Sequence, residues 1–377
     1  MNKVSAGAIL LWAMSLNGLA MGTAVAQIRV GQTSGFTGPA AAAVAEIAIG
    51  AKLYLDHINA EGGINGQQIE LISLDDKNQV PIAAENAKKL IADPKVVALF
   101  LTRGTPHAQA ILPLLAEGQI ALLAPSTGAV ALHRPVNPWV FNVRATYQAE
   151  AERVTRHLGL AGLEKVGVIY VNDSFGEDAA QGAMKVFKEA GKVPALTLTI
   201  DKFKPDYSAV VTKALEAKPL GILIIGTSSS VAIGVKALRA AGSAATLATL
   251  SNNAATGFVK ELGDQAAGVI VSQVFPSERR LAVPMIAEAA RLATAKNVKQ
   301  LTPAMIEGFA AAKVLVVGLK RAAAKDKDVT RASFKRALES FNRVDLGGQE
   351  VSYSAADHTG LDFVDLSIIG PDGTFRR

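Results

Sequence analysis

The sequence predicts an α/β protein arranged as two lobes, each built on a mainly parallel sheet flanked by helices. Three observations lead there. The chain has 377 residues, half of them hydrophobic, which is more apolar material than one compact core holds, so two domains are expected. Short runs rich in Val, Ile and Leu alternate with stretches whose apolar residues recur at helical spacing, the signature of repeated βα units. Aromatic residues make up only 5% while glycine is abundant, a balance that suits α/β layers and argues against disorder or a coiled coil.

Residues 28–33, 69–74, 96–102 and 120–124 are apolar, β-branched-rich runs that read as strands of one parallel sheet. Between them, 43–58 reads as a helix that stops at Glu61-Gly62-Gly63, and 81–91 opens on Pro81, which suits a first helical turn. A further helix is expected after Thr105-Pro106. A second series follows Asn137-Pro138, with strands at 166–171, 194–200, 221–225, 245–250 and 268–274 and helices at 179–189, 208–217 and 230–240. Three consecutive helices then break the alternation, at 283–295, 303–321 and 331–340, before strand-like 350–353 and 361–369; a late return of the chain to the first lobe accounts for the change. Right-handed crossovers are expected throughout. No short-period repeat or long linker occurs, so the lobes should be joined by short crossings, placed at 142–146, 272–276 and 346–350. The expected division is 27–144 with 275–348 for lobe 1, and 145–274 with 349–377 for lobe 2.

Residues 1–26 read as a leader: Lys3 precedes an apolar run over 6–20, and Ala24-Val25-Ala26 offers small residues for cleavage before Gln27. Asn17 and Gly18 interrupt the run, which is short for a membrane span. Cysteine is absent, so neither a disulfide nor an acylated anchor is expected; an exported chain of this kind diffuses in the periplasm. The formal charge of +6 is scattered, unlike the concentrated basic face with interleaved aromatics of a nucleic-acid binder. There is no G-x-S-x-G elbow, Walker A loop, G-x-G-x-x-G or cysteine nucleophile, and Gly226-Thr227-Ser228-Ser229-Ser230 lacks the glycine and lysine positions of a phosphate loop. The histidines show no H-x-x-x-H or H-E-x-x-H spacing. No enzyme, metal site or cofactor is expected.

A strand ending in Ser34-Gly35 is followed by Thr37-Gly38-Pro39, a helix, Ile58-Asn59-Ala60-Glu61-Gly62-Gly63-Ile64-Asn65-Gly66 and Leu74-Asp75-Asp76. With Ala124-Pro125-Ser126-Thr127, Asn172-Asp173-Ser174-Phe175-Gly176 and Phe203-Lys204-Pro205-Asp206-Tyr207-Ser208, this resembles the leucine/isoleucine/valine-binding protein family, the type I periplasmic binding proteins of ABC importers. The resemblance implies two Rossmann-like lobes joined by three crossings, a small solute held between them, and closure by hinge rotation. It further implies a monomer that delivers the solute to an inner-membrane ABC permease with its cytoplasmic ATPase. A sensory receptor of the same fold is the alternative reading, and a hydrolase or isomerase a more distant one.

Thr105 at an N-cap with Pro106 behind it forms either an anion-accepting helix end or an ordinary cap; the resemblance implies that a hydroxyl here binds a ligand carboxylate, together with Ser126 and Thr127. Phe175 stands where relatives often place a tyrosine over the ligand, although it could equally pack in a core, and Tyr147 near the first crossing is a further aromatic candidate. Ser228 stands where branched-chain amino-acid binders carry a tyrosine. Asn252, with Asn253, stands where amino-acid binders supply an acid for the ligand ammonium. That departure, with Arg103 beside the Thr105 helix, disfavours a zwitterionic amino acid and favours a carboxylate or amide-like solute. Asp75-Asp76 reads as structural rather than catalytic.

Overall fold

The computed structural model describes residues 27–326 and 328–377; the expected leader lies outside them. In chain order the elements are β1 (Gln27–Ser34), α1 (Ala41–Ala60), β2 (Gln68–Asp75), α2 (Val80–Ala92), β3 (Val96–Phe100), α3 (Thr105–Glu117), β4 (Ala121–Leu123), β5 (Val140–Phe141), α4 (Tyr147–Leu160), β6 (Val166–Val171), α5 (Ser174–Glu189), β7 (Leu196–Ile200), α6 (Ser208–Ala217), β8 (Gly221–Ile225) and α7 (Ser228–Ala240). They continue with β9 (Thr246–Thr249), α8 (Thr256–Leu262), β10 (Ile270–Gln273), α9 (Pro284–Ala295), α10 (Pro303–Ala323), α11 (Arg331–Glu339), β11 (Val344–Asp345), β12 (Glu350–Val351), β13 (Asp365–Ile369) and β14 (Phe375–Arg376).

Lobe 1 is a parallel sheet in the order β2-β1-β3-β4-β5. Its central strands β3 and β4 are apolar on both faces because helices cover both. Successive residues of β4 show it: Leu122 joins the core under α2 and α3, whereas Ala121 and Leu123 join the core under α1, α9 and α10. On that second side α1 and α10 meet backbone to backbone at two glycines. A Cβ on Gly308 would lie 1.9 Å from the Ile47 carbonyl oxygen, and one on Gly50 would lie 1.9 Å from that of Met305.

Lobe 2 is the sheet β14-β13-β10-β9-β8-β6-β7, parallel from β7 to β10 and antiparallel across β13 and β14. The three C-terminal helices pack on lobe 1, so the chain returns there as the loss of alternation suggests.

Core membership locates the crossings. Ala145 belongs to the lobe 1 core and Tyr147 to that of lobe 2; Val271 belongs to lobe 2, and Val274 and Phe275 to lobe 1. The third crossing lies later than 346–350. Val351, Tyr353 and Leu361 are buried in lobe 1, and the chain joins the lobe 2 sheet only at β13. Residues 349–361 therefore belong with lobe 1, contrary to the division expected from sequence. A two-strand ladder of β11 with β12, and a Tyr353 hydroxyl that donates to the Asn142 carbonyl at 2.5 Å, hold the segment there.

Candidate functional site

In a parallel βα sheet every strand ends at the same edge, and the loops that follow the strands are free of sheet hydrogen bonds and can carry polar groups. The two sheets present these edges to one another. Between them lies a small cavity of about 40 Å³ that opens to solvent. Its lining comes from loops after β1 to β9: Asn78 follows β2, Arg103 and Thr105 follow β3, Ser126 follows β4, Tyr147 follows β5, Asp173 and Phe175 follow β6, Lys202 follows β7, Ser228 follows β8 and Asn252 follows β9.

The structure brings seven of the eight sequence-nominated residues to this lining: Arg103, Thr105, Ser126, Tyr147, Phe175, Ser228 and Asn252. Thr127 stands behind it, its hydroxyl 2.7 Å from that of Thr105. Thr105 is not the N-cap of α3. Gly104 takes that place at φ 100°, a left-handed conformation suited to glycine, and Thr105 is the first helical residue. A Cβ on Gly104 would also meet His107 Nδ1 at 2.6 Å.

Arg103 ties the lobes together. Its guanidinium donates to the Ser126 hydroxyl at 3.0 Å and to the Asn252 carbonyl of the other lobe at 2.8 Å. Ser126 in turn donates to Glu307 Oε1 at 2.7 Å. In this arrangement its one proton is committed to Glu307, and one lone pair of the hydroxyl remains.

Phe175 and Tyr147 pack with ring centroids 4.7 Å apart, and the Arg144 guanidinium lies 4.5 Å from the Tyr147 centroid. Phe175 is both a member of the lobe 2 core and part of the cavity wall. Ser228 donates to Asn253 Oδ1 at 3.1 Å. Ser174 donates to Gln109 at 2.7 Å, and the Val130 N–H to Asp178 at 3.0 Å, further hydrogen bonds between the lobes.

Sequence reading missed four contributors. Glu307 lies on α10, 181 residues from the serine it holds. Lys202 lines the cavity and pairs with Asp173 at 2.9 Å, while the same carboxylate caps α5 by accepting from the N–H groups of Phe175 and Gly176. His107 lines the cavity and is 1% exposed. Burial pushes its imidazole down to about 4, with the Lys202 ammonium adding to the effect, so it is neutral at physiological pH. Only the side chain of His107 following Thr105-Pro106 hinted at this in the sequence.

Asp76 lies beneath the cavity and accepts from the Thr33 hydroxyl at 3.1 Å and the Asn78 N–H at 2.9 Å. Burial raises its carboxyl to about 6 against those hydrogen bonds. Asp75 holds the turn through Thr37 and Lys77.

The chain is 28% identical over 229 residues to Leu/Ile/Val-binding protein homolog 7 of Brucella suis biovar 1, spanning about half of that relative, 56% of its length. It is 23% identical over 334 residues to Leu/Ile/Val-binding protein homolog 3 of Brucella melitensis biotype 1, which covers 88% of each chain. A solved substrate-binding periplasmic protein from Ralstonia solanacearum superposes with a TM-score of 0.85 at 28% identity, over 93% of this chain and 99% of that one. The family model described as periplasmic binding protein matches residues 27–363, and the chain, with its two lobes and the cavity between them, belongs to the periplasmic binding protein family.

Proposed function

We propose that this protein captures a small carboxylate-bearing solute between its lobes, without reacting with it, and presents the closed form to an inner-membrane ABC permease. The leader read at residues 1–26 would deliver it to the periplasm. The observation that carries the reading is the charge of the wall. Among the described residues Arg103 and Lys202 are its cations and Asp173 its one acid, and that acid is already paired with Lys202. One positive charge is therefore left, on a guanidinium that touches both lobes. A carboxylate there gains charge-assisted hydrogen bonds in a site shielded from water. Contact with both lobes is also what allows a ligand to favour the closed form.

Thr105, with Thr127 behind it, and the first turn of α3 supply further donors toward an anion. Tyr147 and Phe175 cover the solute, and Ser228 and Asn252 complete the lobe 2 wall. A thermal-shift screen of the purified protein against short-chain and aromatic carboxylates, amides, urea and amino acids tests the reading; a ligand at one hundred times its Kd adds about 2.7 kcal/mol. Carboxylates should raise the melting temperature, and small-angle scattering should register compaction. Arg103→Gln should weaken that binding at least tenfold. Binding confined to uncharged solutes, or unaffected by Arg103→Gln, would reject the reading.

A further inference from the structure

Asn252 has a fixed amide orientation. Its Nδ2 donates to the Gly226 carbonyl at 2.8 Å and to Asn253 Oδ1 at 3.3 Å, so a flipped amide would set oxygen against two acceptors. Asn253 is fixed in the same way, donating to the Gly226 carbonyl at 3.1 Å and to Thr249 at 2.9 Å while its Oδ1 accepts from Ser228. What Asn252 has left is Oδ1, buried, without a partner among the described residues, on a residue that lines the cavity. A buried acceptor left unpaired is unfavourable, and a ligand that pairs it removes the penalty.

Charge decides what kind of donor fits. Asp173 is the one acid of the lining and is saturated by Lys202 and two backbone N–H groups. A solute ammonium would join Arg103 and Lys202 as a third cation with no free carboxylate to balance it, whereas a neutral O–H or N–H needs no countercharge.

We propose that the solute carries, beside its carboxylate, an uncharged hydrogen-bond donor, a hydroxyl or an amide N–H, which Asn252 Oδ1 accepts. The cleft then selects hydroxy or acylamino acids over amino acids of the same skeleton. This inference rests on the carboxylate reading above.

The test is calorimetric titration of the purified protein with matched series in which one skeleton carries a 2-hydroxyl, a 2-acetamido or a 2-amino group, using small aliphatic, branched and aromatic skeletons. The hydroxy or acetamido member should bind at least tenfold tighter than its amino counterpart, and the two arms identify which donor is read. Asn252→Asp should reverse that order by tenfold or more, and Asn252→Ser, which keeps an uncharged acceptor, should preserve it. Thermal unfolding of each variant reports whether it folds, and the wild-type order decides even if a variant does not. An amino member that binds wild type as tightly as its hydroxy and acetamido partners overturns this inference while leaving the carboxylate reading intact. Binding of no carboxylate in any series overturns both.

Discussion

Arg144 and Glu150 lie six residues apart on either side of the first crossing and form an ion pair from which water is almost wholly excluded, with side chains 2% and 0% exposed. Glu150 also accepts from the Ser251 N–H at 2.8 Å and from the Ser272 hydroxyl, and Arg144 donates to the Ser251 hydroxyl at 2.8 Å. Glu307 of lobe 1 approaches the same guanidinium at 3.8 Å. The first crossing, the second crossing and α10 thus share one buried polar cluster. Removing one partner of such a pair strands the other charge, so Glu150→Ala should cost about 3–5 kcal/mol in urea unfolding. Arg144→Met combined with Glu150→Ala should recover much of that loss, and simple addition of the two single effects would refute the pairing.

Glu307 is expected to act on the solute through Ser126. Glu307→Gln keeps an acceptor for the Ser126 hydroxyl and should leave affinity within about threefold. Glu307→Ala frees that O–H to donate to a carboxylate and removes a nearby negative charge, and should strengthen carboxylate binding by up to roughly tenfold, about 1.4 kcal/mol. Titrations should also show that adding Ser126→Ala to Glu307→Ala takes away part of that gain.

The contact of α1 with α10 has no room for a methyl group. Gly308→Ala places a Cβ against the Ile47 carbonyl and should destabilise the protein by about 3 kcal/mol or more. Gly159→Ala is the control, since Gly159 lies in α4 with nothing within 4 Å of an added Cβ. It should be neutral or stabilising by up to about 1 kcal/mol. Comparable losses at both positions in thermal unfolding would contradict the packing argument.

Asp76 makes stability depend on pH in a defined direction. Its folded carboxyl titrates near 6, above the ordinary value of 3.8, so the folded state holds a proton that the unfolded state has lost between these limits. The stabilisation is complete below about pH 4 and is lost as pH rises through 6, a difference of about 2–3 kcal/mol. Asp76→Asn removes that titration. Its stability relative to wild type should therefore climb from pH 4 to pH 6 and level off above; a flat difference in denaturant titrations across that range would refute the assignment.

His107 and His133 act in the opposite sense. Burial lowers both imidazoles to about 4, with Lys202 and Arg144 respectively adding to it. Their contribution is complete above the ordinary value of 6.5 and is lost as pH falls through 4. Because His107 stays neutral, solute affinity measured in the Asp76→Asn background should be constant from pH 5.5 to 8, and a tenfold change across that interval in binding titrations would count against the environment described for it.

Much of the fold was legible because burial leaves a periodic trace. The apolar runs of β6 and β8 and the helical spacing of α6 mark those elements to the residue. Two-residue strands such as β5 and β14 and the seven-residue α8 are too short to carry a period. The third crossing was misplaced because Val351 and Tyr353 are apolar in a way that suits either core.

The site divided similarly. Strand-end polar residues such as Thr105, Ser126 and Asn252 could be nominated from sequence, since parallel sheets collect their loops at one edge. Which atoms are spent and which are left over was decided only by tertiary contact. Ser126 commits its O–H to a hydrogen bond with a residue 181 positions away, Asp173 pairs with Lys202, and Asn252 spends its N–H donors on Gly226 and Asn253, while Asn252 Oδ1 has no partner among the described residues. Hydrophobic pattern is a property of neighbouring residues and is written along the chain; hydrogen-bond satisfaction in a closed cleft belongs to groups that meet only when both lobes have folded.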